Sequence, residues 1–194
     1  MFLMPPSDTP DTAAVYQRDQ AQMGFVMNLS RAWAWRPDVY DAFAALRSQL
    51  STQSTLSPRE LAVMVCATAG TLGDAYCSLA WGSKLAQAAS GETASAVLQG
   101  RDDDAMSPRE RALAAWTRQV VDDPNGTTAA DVKSLRDAGL AEREIFEATV
   151  FVALRLAFST VNDALGVLPD AALAEAAPPA VRAAVHYGRQ PAGG

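Results

Sequence analysis

The sequence has one histidine and two cysteines in 194 residues. That is too few for the usual ligand set of a structural zinc, and two cysteines do not make a disulfide framework. Aromatic residues are 7% of the chain, and β-branched residues are too scattered to outline strands. Basic residues do not cluster, and the net charge is −6 at pH 7. Both features argue against a nucleic-acid binder, which needs grouped Lys and Arg for the phosphates. A phosphate-cradling glycine loop is also missing, since Gly70, Gly73 and Gly82 have neither its spacing nor its strand context. The longest apolar run, Ala148 to Phe158, contains Arg155 and is too short to span a bilayer. The apolar start MFLMPP is shorter than a signal peptide and carries two prolines. The expectation is a cytoplasmic protein with reduced thiols, no cofactor, no metal, and neither a membrane nor a nucleic acid as partner.

What is present is helix-forming sequence. The chain is 49% hydrophobic, much of it alanine, which favours close-packed helices over sheet. Two stretches carry the same start signal, Ser57-Pro58-Arg59-Glu60 and Ser107-Pro108-Arg109-Glu110. In each, serine caps, proline fits the first helical position, and glutamate stands three residues after the cap. The reading is an all-α fold in four parts. Residues 1–14 form a flexible arm, and 15–55 a helical extension. Residues 56–168 form the core, and 169–194 a helical tail.

Within these parts, helices are expected from about Thr12 to Met23 and from Asp38 to Leu50, followed by a polar loop at 51–55. Leu61 to Leu72 is apolar on all faces and is expected to be buried. A helix follows Asp74, at about 75–89, and another runs from Pro108 to Val121. The longest is expected from Ala141 to about Leu165, with its apolar middle, 145–158, running through the core. Two short helices flank Pro178-Pro179.

The stretch Leu56 to Ala86 is the expected structural centre, and Cys77 is its first chemical candidate. A thiol in the first turn of a helix feels the positive end of the helix dipole, which favours thiolate. Thiolate is the form that attacks a peroxide or a disulfide. Asp74, one turn away, opposes ionisation if it is charged. The alternative is a small buried cysteine packed among Tyr76 and Trp81. Cys66, eleven residues earlier, reads as core packing or as a resolving thiol. Glu60 is either a proton relay or simply the capping glutamate. Arg155, in the middle of an apolar helix, needs an ion-pair partner or a polar cavity; Asp74, Glu147 and Asp163 are the candidate partners. His186 reaches a thiol only if the tail folds back.

Several stretches together resemble the alkylhydroperoxidase D-like, carboxymuconolactone decarboxylase superfamily, in its peroxidase-related branch. They are LSPRE…GDAYCSLAWG, MSPRERALAAWTRQVVDDP, DVKSLRDAGLAEREIFEATVFVALRLAF and VNDALGV, with MGFVMNLSRAWAWRPDVYDAFAALRSQL ahead of them. The resemblance implies an all-α fold, homo-oligomers, and reduction of a small-molecule peroxide with a thiol reductant. It also implies a Cys-x-x-Cys pair, a following histidine and an upstream glutamate. The second cysteine matches Cys77, the first falls at Asp74, and the histidine falls at Trp81 or Gly82. The glutamate falls at Ala62, and Glu60 matches it only with two extra residues in the helix. Two functions follow: a thiol peroxidase with Cys77 and Glu60 as catalytic residues and a pocket of Asp74, Tyr76, Trp81 and Arg155, or a degenerate member that binds a small molecule or serves in assembly.

Overall fold

The computed structural model describes residues 1–191. Among them there are eleven α-helices and no strand. Three form the N-terminal third: α1 (Pro10–Met23), α2 (Asn28–Trp33) and α3 (Pro37–Thr52). The centre is α4 (Pro58–Leu72), α5 (Ala75–Ala88), α6 (Gly91–Leu98) and α7 (Pro108–Asp122). Then come α8 (Ala129–Asp137), the long α9 (Glu142–Ala164), α10 (Ala171–Ala176) and α11 (Pro179–Ala184).

The capping signals work as their residue types dictate. Ser57 and Ser107 each accept the N–H of the glutamate three residues on, and each glutamate carboxylate accepts the serine N–H in return. Each such cap is worth about 1 kcal/mol. α1 starts at Pro10, two residues before Thr12, because Thr9 caps it and Pro10 suits the first position. α3 runs on through Ser51 and Thr52, which were expected in the loop. Their hydroxyls donate to carbonyls one turn back and so fit inside a helix.

α4 is buried from Glu60 through Ala69 on every face, as its apolar sequence requires, but the expected burial does not reach Leu72: Thr71 and Leu72 are exposed where the helix runs out into the turn at Gly73. It packs against α5, α6, α7 and α9. Gly73, with φ of 73°, ends it in the left-handed region and lets the chain reverse into α5.

α9 corrects the expectation that its middle, 145–158, is buried. Only one face is inside, marked by Ile145, Ala148, Phe151, Val152, Arg155 and Phe158. Phe146 on the outer face is 68% exposed, and Val161 is exposed too. An apolar outer face and a core face have the same composition, so the sequence does not separate them.

The N-terminal third is tied to this core by aromatic stacking. Trp33 lies 5.2 Å from Phe158 and 5.4 Å from Tyr40, and its indole N–H donates to the buried Asn162 at 2.9 Å. The segment ahead of α1 also touches the core, where the Phe2 N–H donates to the Leu165 carbonyl. At the other end the tail folds back over α5 and α6, and the Tyr187 hydroxyl meets Ser78 at 3.0 Å.

Candidate functional site

α4 and α5 meet at a tight reversal, and Cys77 sits in the first turn beyond it. Asp74 caps α5: its Oδ1 accepts the Cys77 N–H at 2.9 Å. The cap places the Asp74 carboxylate, itself fully buried, against the thiol. Among the described residues, Asp74 Oδ2 has no hydrogen-bond partner. Across from α5, the buried face of α9 brings Arg155 and Ser159 to the sulfur. Arg155 Nη2 stands 3.6 Å from Cys77 Sγ, and the Ser159 hydroxyl 3.7 Å.

The thiol is 3% exposed. Burial pushes it up, the Asp74 carboxylate pushes it further, and Arg155 and Ser159 pull it back only in part, leaving it at about 12. The resting sulfur is therefore a neutral thiol at pH 7. The helix N-terminus alone, read from the sequence, favoured thiolate; the absence of water around the sulfur outweighs it.

Arg155 is 3% exposed and forms no ion pair with Asp74, Glu147 or Asp163. Glu147 is taken by Arg143 at 2.6 Å. The guanidinium instead lies between aromatic rings, 5.0 Å from the centre of Trp81 and 5.5 Å from that of Phe158. On its other side it lines a cavity of about 230 Å³ between α3, α5 and α9. Arg47 and Trp81 line the same cavity.

The structure brings together Cys77, Asp74 and Arg155, with Trp81 beyond the arginine. Tyr76 turns away: its hydroxyl donates to the Asp170 carboxylate, which also accepts the Asn28 N–H at 3.0 Å. Burial pushes its phenol far up, so it stays neutral. Glu60 is not brought to the thiol. It lies at the opposite end of α4, about 14 Å along the helix axis from Ala69, which packs in the same cluster as Cys77. Its carboxylate is held by the capping box and by Arg109 at 2.9 Å. Cys66 is a free thiol, fully buried in a different apolar cluster from Cys77, and burial pushes it up strongly. His186 is exposed on the returning tail, which meets α5 through Tyr187 instead.

Sequence reasoning missed Ser159 and Arg47. Ser159 is four residues after Arg155 on a helix, so it shares that face, and this spacing was there to be read. Arg47 is brought in from α3 by tertiary packing that leaves no local pattern.

No model of a known protein family matches the sequence, and no curated protein matches it. Solved structures do. An uncharacterized peroxidase-related protein from Silicibacter sp. TM1040 superposes with a TM-score of 0.79 at 21% identity, over 89% of this chain and 93% of that one. A second, from Ralstonia eutropha JMP134 and described as an alkylhydroperoxidase AhpD core, gives 0.73 at 24% identity over 89% and 96%. The fold is AhpD-like. A cysteine-to-alanine form of the debrominase Bmp8, in complex with 2,3,4-tribromopyrrole, gives 0.73 at 16% identity over 90% and 95%. At these identities the likeness is one of architecture, and it is the architecture that the sequence resemblance implied. On this AhpD-like frame the reversal between α4 and α5 carries one thiol, Cys77, with Asp74 and Trp81 where the resemblance would place a first cysteine and a histidine.

Proposed function

We propose that this chain is a one-cysteine oxidoreductase that reduces a peroxide at Cys77 and is returned to its thiol by an external thiol. The observation that carries the reading is the pair of donors on the Cys77 sulfur, Arg155 at 3.6 Å and Ser159 at 3.7 Å. A sulfur that accepts from a guanidinium and a hydroxyl is prepared to hold negative charge as it forms. The Asp74 carboxylate, whose Oδ1 accepts the Cys77 N–H and whose Oδ2 is without a hydrogen-bond partner among the described residues, is the proton acceptor.

In the step, Cys77 gives its proton to Asp74. The thiolate, held by Arg155 and Ser159, attacks the terminal oxygen of the peroxide. The O–O bond breaks, the alcohol leaves with the proton from Asp74, and Cys77 becomes a sulfenic acid. One external thiol condenses with it, releasing water and forming a mixed disulfide. A second thiol releases Cys77 and leaves as the external disulfide. Cys66 takes no part in this cycle.

The test is thiol-dependent peroxide consumption by wild type, Cys77→Ser and Cys66→Ser. Loss of activity in Cys77→Ser alone supports the reading. Equal rates in wild type and Cys77→Ser refute it.

A second reading has its own observation, the burial of Cys77 and its rise to about 12. On that reading the chain binds a small molecule without transforming it, and none of the three proteins consumes peroxide. The likeness to Bmp8 adds a brominated pyrrole as a further substrate to offer Cys77, with bromide release as the readout. The exposed apolar face of α9, with Phe146 at its start, supports assembly into a homo-oligomer.

A further inference from the structure

We propose that the cavity between α3, α5 and α9 binds a small organic anion, a carboxylate on an apolar body. The inference rests on the reading of Cys77 as the working thiol only for the anion's role beside it.

The argument begins with charge. The chain has more acidic than basic residues, and its other half-buried arginines are matched by carboxylates or by backbone carbonyls, Arg111 by those of Asp103 and Asp104 and Arg189 by that of Asp163. Arg59 pairs with Glu110, Arg109 with Glu60 and Glu144, and Arg118 with Asp102. Around Trp81 the pattern stops. Arg47, Lys84 and Arg155 gather there, and among the described residues none has a carboxylate within 4.0 Å. Their proximity is costly: Arg47 is lowered by burial and then by Arg155, and Lys84 by loss of water and then by both arginines.

Stacking orients the guanidinium groups. Arg47 lies 4.5 Å over Phe158 and Arg155 5.0 Å over Trp81, while the Lys84 ammonium is 4.2 Å over Trp81. A guanidinium that uses its face on a ring keeps its edge N–H groups for a planar, two-oxygen acceptor. The Nε atoms of both Arg47 and Arg155 are buried without a hydrogen-bond partner among the described residues. A buried donor left unmade is expensive and adds to the cost of holding two uncompensated guanidinium groups here; a carboxylate in the cavity that both arginines line supplies the missing charge.

The walls define the rest of the ligand. Ala44, Phe151 and the Trp81 ring are apolar, and Ser48 adds a hydroxyl. The volume of about 230 Å³ equals about seven or eight waters, or an organic acid of about ten heavy atoms. Through Arg155, such an anion stands one guanidinium away from Cys77 Sγ.

Benzoate is the probe. Titration calorimetry on wild type is expected to show binding in the millimolar range or tighter. Benzamide, the neutral isostere, is expected to bind at least about tenfold more weakly, and so is benzoate to Arg47→Met and to Arg155→Met. Cys77→Ser is expected to bind benzoate as wild type does, whatever the peroxide assay gives, so failure of one proposal is distinguishable from failure of the other. If Arg155→Met does not fold, Arg47→Met, at a half-buried position, carries the comparison. No benzoate binding, equal binding of benzamide, tighter binding of inorganic phosphate than of benzoate, or unchanged binding by the folded arginine variants overturns the proposal.

Discussion

Arg155→Met is expected to make the protein more stable. The guanidinium is 3% exposed and, among the described residues, has no carboxylate partner. Burying an unmatched ion costs several kcal/mol after relaxation, taken here as about 4. Against this stand two cation–π contacts, to Trp81 at 5.0 Å and Phe158 at 5.5 Å, at about 1 kcal/mol each. The single donation from Arg155 to Cys77 Sγ, at 3.6 Å, goes to a neutral thiol in the resting protein and adds little to stability there. Methionine fills similar volume and keeps the contact with both rings. The balance is about 2 kcal/mol in favour of the variant, a rise of about 4–8 °C in thermal midpoint for a chain of this length. Differential scanning fluorimetry reads it directly. Benzoate is expected to raise the midpoint of wild type and not that of the variant. A fall of several degrees in Arg155→Met would show that the charge is compensated in the folded protein, and the account of an unmatched cation site would be wrong.

Four further outcomes follow from other parts of the molecule. Gly70→Ala is expected to destabilise by roughly 1–3 kcal/mol in denaturant titration, because the new Cβ would overlap the Leu98 carbonyl of α6; helix propensity alone predicts a gain of about 1 kcal/mol, so the sign separates the two. The Glu144 carboxyl is held down at about 2 by the Thr55 hydroxyl, the Ala141 N–H and Arg109. Its folded value is depressed, so its stabilisation is present above the ordinary carboxylate range and is lost as pH falls toward 2; Glu144→Gln is expected to flatten that part of the acid-unfolding curve. Cys77 is shifted the other way. Its stabilisation is present below the ordinary thiol value of 9.0 and is lost as pH rises toward about 12, so Cys77→Ser is expected to lessen alkaline destabilisation, read by denaturant titration across that range. Phe146→Asp, on the open face of α9, is expected to lower the sedimenting mass while leaving the helical circular dichroism unchanged.

The helices were legible because their signals are local. A serine, a proline and a glutamate at fixed spacing define the starts of α4 and α7, and an apolar run with no polar face marks α4 as buried. α9 was less legible, since nothing in its composition says whether an apolar face meets the core or stays open. At the site, the position of Cys77 at a helix start and its closeness to Asp74 could be read from three residues of spacing. The environment of Arg155 could not. Its partners come from α3, α5 and its own helix, and an arginine in an apolar segment implies a partner without naming it. The expected ion pair is replaced by a sulfur, two rings and a cavity. Glu60 shows the same limit, because the capping box explains it completely and its distance from Cys77 appears only once α4 is built.

The most direct test of the account is chemical trapping at Cys77. Wild type, treated with one equivalent of peroxide in the presence of dimedone and digested for mass spectrometry, is predicted to carry the adduct on Cys77 and none on Cys66, with the adduct absent from Cys77→Ser. An unmodified Cys77 under conditions where peroxide is consumed, or an adduct on Cys66 instead, would contradict it.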